Sequence, residues 1–384
     1  MTTISMSGTA ETAPMIPHYA PDQRSYASRS LPVRIADLLR SLLSTNRGRA
    51  ILLAYLTFAF VVLKYNPLAD RSRDPYADER YATYATPFCG PNGVCGEKAD
   101  EPSPRTKYSA RSAEQMDLWT RAVEEESQRA ITYNLHLEAL KAGGSSGGGQ
   151  VRPLILLGDS ITESYLGSSY GQAQDRFADV PSVLQTEYAG FEPLVLGISG
   201  DQTQHLLWRL MNGGILPEYA SDPNAVFVVL IGTNNIGSGE EPGAVNQALR
   251  TMAQYLLEEV KGRIIFVELL TRGDVFRTKD ICPPRCDGDG KPLASFMPSI
   301  NEVNTAMREN MSRLTRKYRG RISTVNCNGV FAPDEAAVAR GEEVNTTLMP
   351  DSLHPNADGH HLLAQCVKKC IEKEDGVCAP VVAQ

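Results

Sequence analysis

Five residues scattered over nearly 200 positions are of the types that acyl transfer needs. Ser160 stands in Gly158-Asp159-Ser160, Gly200 in Gly197-Ile198-Ser199-Gly200-Asp201, and Asn234 in Gly232-Thr233-Asn234-Asn235. Asp351 and His354 lie three residues apart in Asp351-Ser352-Leu353-His354-Pro355. A serine hydroxyl is a poor nucleophile until a base takes its proton, and the base must be held by a third group. His354 has the chemistry of that base. Asp351 has the chemistry of the group that accepts from the other ring nitrogen and stabilises the imidazolium. The oxyanion formed on acyl transfer needs preorganised donors, and the backbone N–H groups of Ser160 and Gly200 with the Asn234 amide are candidates. Each fragment alone is weak. Asp-x-x-His recurs in roughly one chain in two of this length, and Gly-Asp-Ser in about one in ten, at ordinary residue usage. A serine there also fits a helix cap, and Gly200 and Asn234 also fit plain turn positions.

Their setting gives them weight. Leu154-Ile155-Leu156-Leu157 is a short apolar run, broken by Gly-Asp-Ser before a helix-compatible stretch. A serine at the carboxyl end of a strand, opening a helix, sits where open α/β sheets place their chemistry. Free N–H groups and a partial positive charge lie beside it. It is not the G-x-S-x-G elbow, because no glycine follows at the required place. Further strands are predicted at 194–196, 225–231, 264–270 and 321–325. Helices are predicted at 202–211, with Leu206, Leu207 and Leu210 buried, and at 243–261, 300–317 and 355–373, the last opened by Pro355. Strands alternating with helices imply an α/β fold, a parallel sheet with helices on both faces. Gly200 and Asn234 then follow the second and third strands, and Asp351 and His354 precede the last helix. Upstream, 112–141 lacks Pro and Gly and predicts a long helix containing Trp119 and Leu135, followed by a flexible Gly/Ser linker at 143–149. The stretch 273–298 reads as a loop insertion.

A length of 384 residues allows one large domain or two smaller ones, and the net charge of -7 argues against nucleic acid as a partner. All eight cysteines follow residue 88. An even number on one side of a hydrophobic segment reads as disulfides in an oxidising lumen, with Cys89/Cys95 and Cys282/Cys286 as small loops; buried free thiols are the alternative. No metal is expected: zinc-ligand spacing is absent, and Asp287-Gly288-Asp289-Gly290 lacks the twelfth-position glutamate of a calcium loop. His360 and His361 read as helix-face residues. The hydrophobic segment Ala50 to Leu63 would span about 21 Å as a helix, against roughly 30 Å of hydrocarbon. Snorkelling by Arg49 and Lys64 closes that gap. The expected organisation is a cytosolic disordered tail at 1–49, a single transmembrane signal-anchor at 50–64, a stem at 65–150 and a catalytic domain at 151–384. An organelle transit peptide is the alternative for the N-terminal region. The sequons at Asn310 and Asn345 agree with a lumenal glycoprotein anchored in a membrane of the secretory pathway.

The four blocks Gly158-Asp159-Ser160, Gly200, Gly232-Thr233-Asn234-Asn235 and Asp351-x-x-His354 resemble those of the SGNH (GDSL-type) hydrolase superfamily. Residues 197–210 and Leu269-Leu270-Thr271-Arg272-Gly273 are similar to the catalytic subunits of intracellular platelet-activating-factor acetylhydrolase. The resemblance covers about residues 153–373. It implies a flavodoxin-like three-layer α/β/α sandwich with five parallel strands, no cofactor, and hydrolysis of small acyl esters. It also implies Ser160 as nucleophile, Ser160, Gly200 and Asn234 as oxyanion donors, and Asp351 and His354 as the acid–base pair. Asn235 departs from the aspartate of the broader superfamily, and Ser199 from the glycine more usual in the acetylhydrolase group. The anchor, the cysteine-bearing loops and the insertion are foreign to those cytosolic subunits. The expected function is a serine esterase acting on an acetylated carbohydrate or lipid, with a homodimer among the expected assemblies. An O-acyltransferase with a carbohydrate acceptor and a non-catalytic binding protein on the same fold are the alternatives.

Overall fold

Strand β1 (Pro153–Gly158) is buried at all six positions, the state of a strand covered on both faces. Ile155 and Leu157 enter one apolar core and Leu154 and Leu156 the other, as the two-residue period of a strand dictates. The structure, a computed structural model, describes residues 97–142, 151–373 and 378, apart from 107, 108, 110, 111, 284, 319 and 337–341. The chain divides into two units, Met1–Pro75 and Tyr76–Gln384, and every described residue belongs to the second.

Four more strands complete the parallel sheet: β2 (Glu192–Gly197), β3 (Val226–Leu230), β4 (Arg263–Val267) and β5 (Ile322–Val325). Their order is β2-β1-β3-β4-β5, the flavodoxin-like arrangement whose switch point lies between β1 and β3. Gly158 pairs with Gly197 on one side and Leu230 on the other. The segments that leave β1, β2 and β3 therefore start level, around one crevice. The expected sheet is present, with strand ends shifted by a few residues at most.

The helices that cover the sheet or position the site are α1 (Ala113–Ala142), α2 (Ser160–Glu163), α3 (Val180–Glu187), α4 (Thr203–Arg209), α5 (Thr233–Gly237), α6 (Pro242–Glu259), α7 (Met297–Lys317) and α8 (Ala357–Ile371). Helices α1, α4, α6 and α7 bury one side of the sheet, and α3 and α8 the other. Leu206, Leu207 and Leu210 are buried as expected. Helix α8 starts later than the sequence suggested. Asn356 caps it, accepting from Gly359 N at 3.0 Å, so Pro355 stands before the first turn; asparagine is among the best capping residues.

Helix α1 does not stand off as a stem. Ala130, Tyr133 and Leu137 join the core, Tyr133 Oη donates to Glu192 O at 2.6 Å, and Arg129 Nε donates to Val195 O at 3.1 Å. Both acceptors lie on the edge strand β2, whose outer carbonyls would otherwise face solvent. Leu135 points outward, 60% exposed. Among the described residues no helix is long and apolar enough to cross a membrane. The predicted tail 1–49, anchor 50–64, Cys89/Cys95 loop and linker 143–149 lie outside the described residues.

The Cys282–Cys286 loop forms as expected, within the insertion. Cys327–Cys366 joins the end of β5 to α8, and Cys370–Cys378 holds the end of α8. His361 lies on the helix face, paired with Glu187 at 2.9 Å. His360 is fully buried. Ser164 Oγ spends its proton on Ile161 O at 2.7 Å, so His360 Nε2 must donate to that hydroxyl, also at 2.7 Å. Nδ1 is left bare, with no partner among the described residues. Burial, helped by the nearby His354, pushes His360 down to about 3. The unfolded chain takes up this proton near pH 6.5. Stability is therefore present above about pH 6.5 and drains away as pH falls towards 3, at no more than about 1.4 kcal/mol per unit. His360→Gln should remove about 2 kcal/mol of the loss in urea-measured stability between pH 7 and 5. An unchanged slope would exclude His360 as its source.

Candidate active site

The turn after β1 is made by Asp159, whose Oδ1 accepts from Ile161 N at 3.0 Å and so starts α2 at Ser160. On the neighbouring strand, a Cβ at Gly197 would lie 2.6 Å from Glu163 N. The absence of a side chain there lets α2 approach β2. Ser160 Oγ lies 2.9 Å from His354 Nε2, and His354 Nδ1 lies 2.7 Å from Asp351 Oδ2. An ionised carboxylate only accepts, so Nδ1 carries the ring proton and Nε2 offers its lone pair to the serine O–H. Burial alone would raise the Asp351 carboxyl, but the hydrogen bonds and charge of His354, with the N–H groups of His354 and Leu353, hold it well below the usual range. Asp351 Oδ1 accepts those two N–H groups at 2.7 and 3.1 Å. Ser352 between them sits at φ 61°, a strained conformation of the kind that clusters at functional sites. Arg176 Nη1 donates to the same Oδ2 as His354, at 2.7 Å, and the Phe177 ring packs edge-on to His354 at 6.0 Å.

The loop after β2 carries Gly200 at φ 74°, a region that favours glycine. Asn234 lies in the first turn of α5, just after β3, and its Nδ2 donates to Asp201 O at 2.9 Å and to Asp159 Oδ2 at 3.3 Å. Burial raises the Asp159 carboxyl to about 7. Asn235 Oδ1 accepts from Thr203 N at 2.9 Å and fixes the start of α4. Arg272, fully buried, donates from Nη1 to Thr233 O at 2.8 Å and supports the Asn234 turn from below. Ser160, Gly200, Asn234 and His354 line one cleft of about 210 Å³, with Asp351 behind His354. All five residues expected from sequence thus converge. The Asn234 amide, however, is held by Asp201 and Asp159 at the wall of the cleft. Among the described residues that line the cleft, Leu353 is the one aliphatic side chain.

Several residues here carry no signal that the sequence reading used. Glu163 is buried, and its carboxylate accepts from Ser168 Oγ (2.9 Å), Gly171 N (2.7 Å), Tyr170 N (3.0 Å) and Ser199 N (2.7 Å). Its place one helical turn after Ser160 was the available clue. Arg105, Tyr170 and Arg176 also line the cleft, and they arrive from segments without periodic pattern. A larger cavity of about 480 Å³ opens beside the ends of β4 and β5, lined in part by Glu268, Asn304, Arg308 and Asn328. Its asparagines 304 and 328 are spent on the backbone of Leu269 and Thr271, and none of the five residues lines it. The hydroxyl–imidazole–carboxylate line can take a proton from Ser160 and hold the resulting charge on His354.

The model of the GDSL-like lipase/acylhydrolase family matches residues 156–362. Platelet-activating factor acetylhydrolase IB subunit alpha1 is 36% identical over 87 residues in Pongo abelii and in Homo sapiens, covering 22% of this chain and 35% of theirs. The chain thus spans about a third of the length of the curated relatives it matches. Among solved structures, one described as a putative platelet activating factor from Streptococcus pneumonia is 18% identical with a TM-score of 0.44, over 68% of this chain and 99% of the other. An acetylxylan esterase from Geobacillus stearothermophilus is 17% identical with a TM-score of 0.39, over 59% and 96%.

Proposed function

We propose, from the premise that this chain belongs to the GDSL-like lipase/acylhydrolase family and so stands among carboxylic ester hydrolases, that it removes small acyl groups, acetyl foremost, through an acyl-enzyme on Ser160. Ser160 Oγ attacks the ester carbonyl as His354 Nε2 takes its proton, and Asp351 stabilises the imidazolium. The tetrahedral oxyanion is met by the N–H groups of Ser160 and Gly200 and by the Asn234 amide, which turns one hydrogen from Asp201 O to the substrate. His354 then gives its proton to the leaving alkoxide. Water, activated by the same imidazole, releases the acid and restores the serine.

The observation that carries this reading is the hydrogen-bonded line from Ser160 through His354 to Asp351, at 2.9 and 2.7 Å. The cleft volume of about 210 Å³ supports a short acyl group, being below the roughly 300–1,000 Å³ of pockets for larger ligands. Its polar walls favour an acetylated carbohydrate over a lipid. The three disulfides among the described residues support an oxidising compartment, and the anchor at 50–64 and glycans on Asn310 and Asn345 belong to the same proposal. The test is turnover by the full chain of p-nitrophenyl esters of increasing acyl length and of acetylated oligosaccharides, with fluorophosphonate labelling in parallel. Acetyl esters should be cleaved fastest and Ser160 should carry the label. A chain that neither labels nor cleaves any ester would overturn the reading.

A further inference from the structure

The family match begins at residue 156, yet the loop that bears Gly200 is held by a segment that precedes that match, at 97–106. Ala99 O accepts from Thr203 Oγ1 at 2.8 Å, and Ser103 N donates to Gln204 O at 3.2 Å. The Glu97 carboxylate meets His205 Nε2 at 2.5 Å and accepts from Gln204 Nε2 at 3.1 Å. Arg105, 4% exposed, reaches furthest in. Its Nη1 donates to Tyr170 Oη at 2.9 Å, and its Nη2 donates to Ser199 O at 3.1 Å and to Asp201 Oδ1 at 3.2 Å. Asp201 is itself fixed by Trp119 Nε1 at 2.7 Å and Arg209 Nε at 2.8 Å.

Ser199 O and the N–H of Gly200 belong to one peptide unit. That unit is planar and trans, so its carbonyl and its N–H point in opposite directions. A donor that fixes Ser199 O therefore also fixes the direction of the Gly200 N–H, at a residue that lines the cleft. The donor here is also a cation, and a positive charge at the carbonyl end of a peptide draws electron density from its nitrogen and strengthens the N–H as a donor. The position is close-fitting: a Cβ at Gly200 would lie 3.0 Å from Arg105 Nη2.

We propose that residues 97–106 act as a strap across the Gly200 loop, and that Arg105 is a positioning residue which aims and polarises the Ser199–Gly200 peptide for the oxyanion. The inference rests on the esterase reading above. Arg105→Ala in the full chain should lower kcat for p-nitrophenyl acetate by about 30- to 100-fold, somewhat less than the loss of a whole oxyanion donor, with KM within about threefold. Fluorophosphonate labelling should slow in parallel. Added guanidinium ion should restore part of the rate, and Arg105→Lys, which keeps the charge but not the fork, should fall in between. Tyr170→Phe releases one hold on Arg105 and leaves its charge; it should lower kcat by several-fold, and it decides the matter if Arg105→Ala unfolds. The proposal fails if kcat stays within threefold in all three variants. It also fails if the loss follows the folded fraction measured by thermal unfolding and guanidinium restores nothing. A wild-type chain that cleaves no ester removes the esterase reading and this inference together; a competent wild type with indifferent variants removes only the inference.

Discussion

Ser160→Ala should lower kcat for p-nitrophenyl acetate by at least ~10³-fold and abolish fluorophosphonate labelling, with the fold intact. The substitution deletes one hydroxyl, and the bond it loses is the one to His354 Nε2. The cap of α2 is untouched, since Asp159 Oδ1 accepts from Ile161 N, and alanine is the best helix former. Loss of the nucleophile in hydrolases with this constellation costs up to about 10⁶ in kcat, and the remainder comes from binding and the oxyanion donors. Wild-type-like turnover in the alanine variant would remove Ser160 from the chemistry and leave the cleft as a binding site.

Asp351→Asn should cost about 10³- to 10⁴-fold in kcat, for a reason that lies in the turn and not in charge alone. Oδ1 is claimed by the N–H groups of His354 and Leu353, so the oxygen of the introduced amide keeps that position. Its NH₂ group is then forced to the Oδ2 position, facing His354 Nδ1 and Arg176, both donors in the native site. To avoid that clash the imidazole must move its proton to Nε2. It would then point a hydrogen at Ser160 and could no longer act as base. The corresponding change in a serine protease lowers kcat by about 10⁴ through the wrong tautomer. Here the variant should still bind substrate, with KM little altered. A loss below tenfold would mean that another group sets the His354 tautomer.

The parts of the fold that could be read in the sequence are those in which one segment carries its own pattern. Leu154–Leu157 and Ala225–Ile231 are apolar without interruption because they are covered on both faces. The polar residues that end these strands mark where the crevice opens. Parts that depend on a partner elsewhere were less readable. Helix α1 buries Trp119, Ala122, Glu126, Ala130, Tyr133 and Leu137, a regular stripe of three- and four-residue steps. Chemically the stripe is faint, with two alanines and a glutamate, and the glutamate is hidden only because Arg209 Nη1 meets it at 2.5 Å. Leu135, the more obvious apolar residue, faces out. Arg105 and Arg176 are silent for the same reason, since an arginine is ordinarily a surface residue until the structure shows what it bonds. The Asn234 amide was legible as a donor but not as one already engaged, because Asp201 O comes from a different strand's loop.

Between Ala142 and Val151 the chain has eight residues, seven of them glycine or serine. The helix before them is held by what it touches. In the language of binding, α1 is a ligand of the sheet that the same chain supplies. Lengthening a connection is cheap in general, about 0.6 kcal/mol of closure entropy per doubling. The contacts matter far more. With α1 absent, Arg209 would keep Asp201 and lose Glu126, and the places of Ala130, Tyr133 and Leu137 in the core would stand open. A chain cut back to 151–384 therefore bares the edge of β2 and the core face that α1 covers.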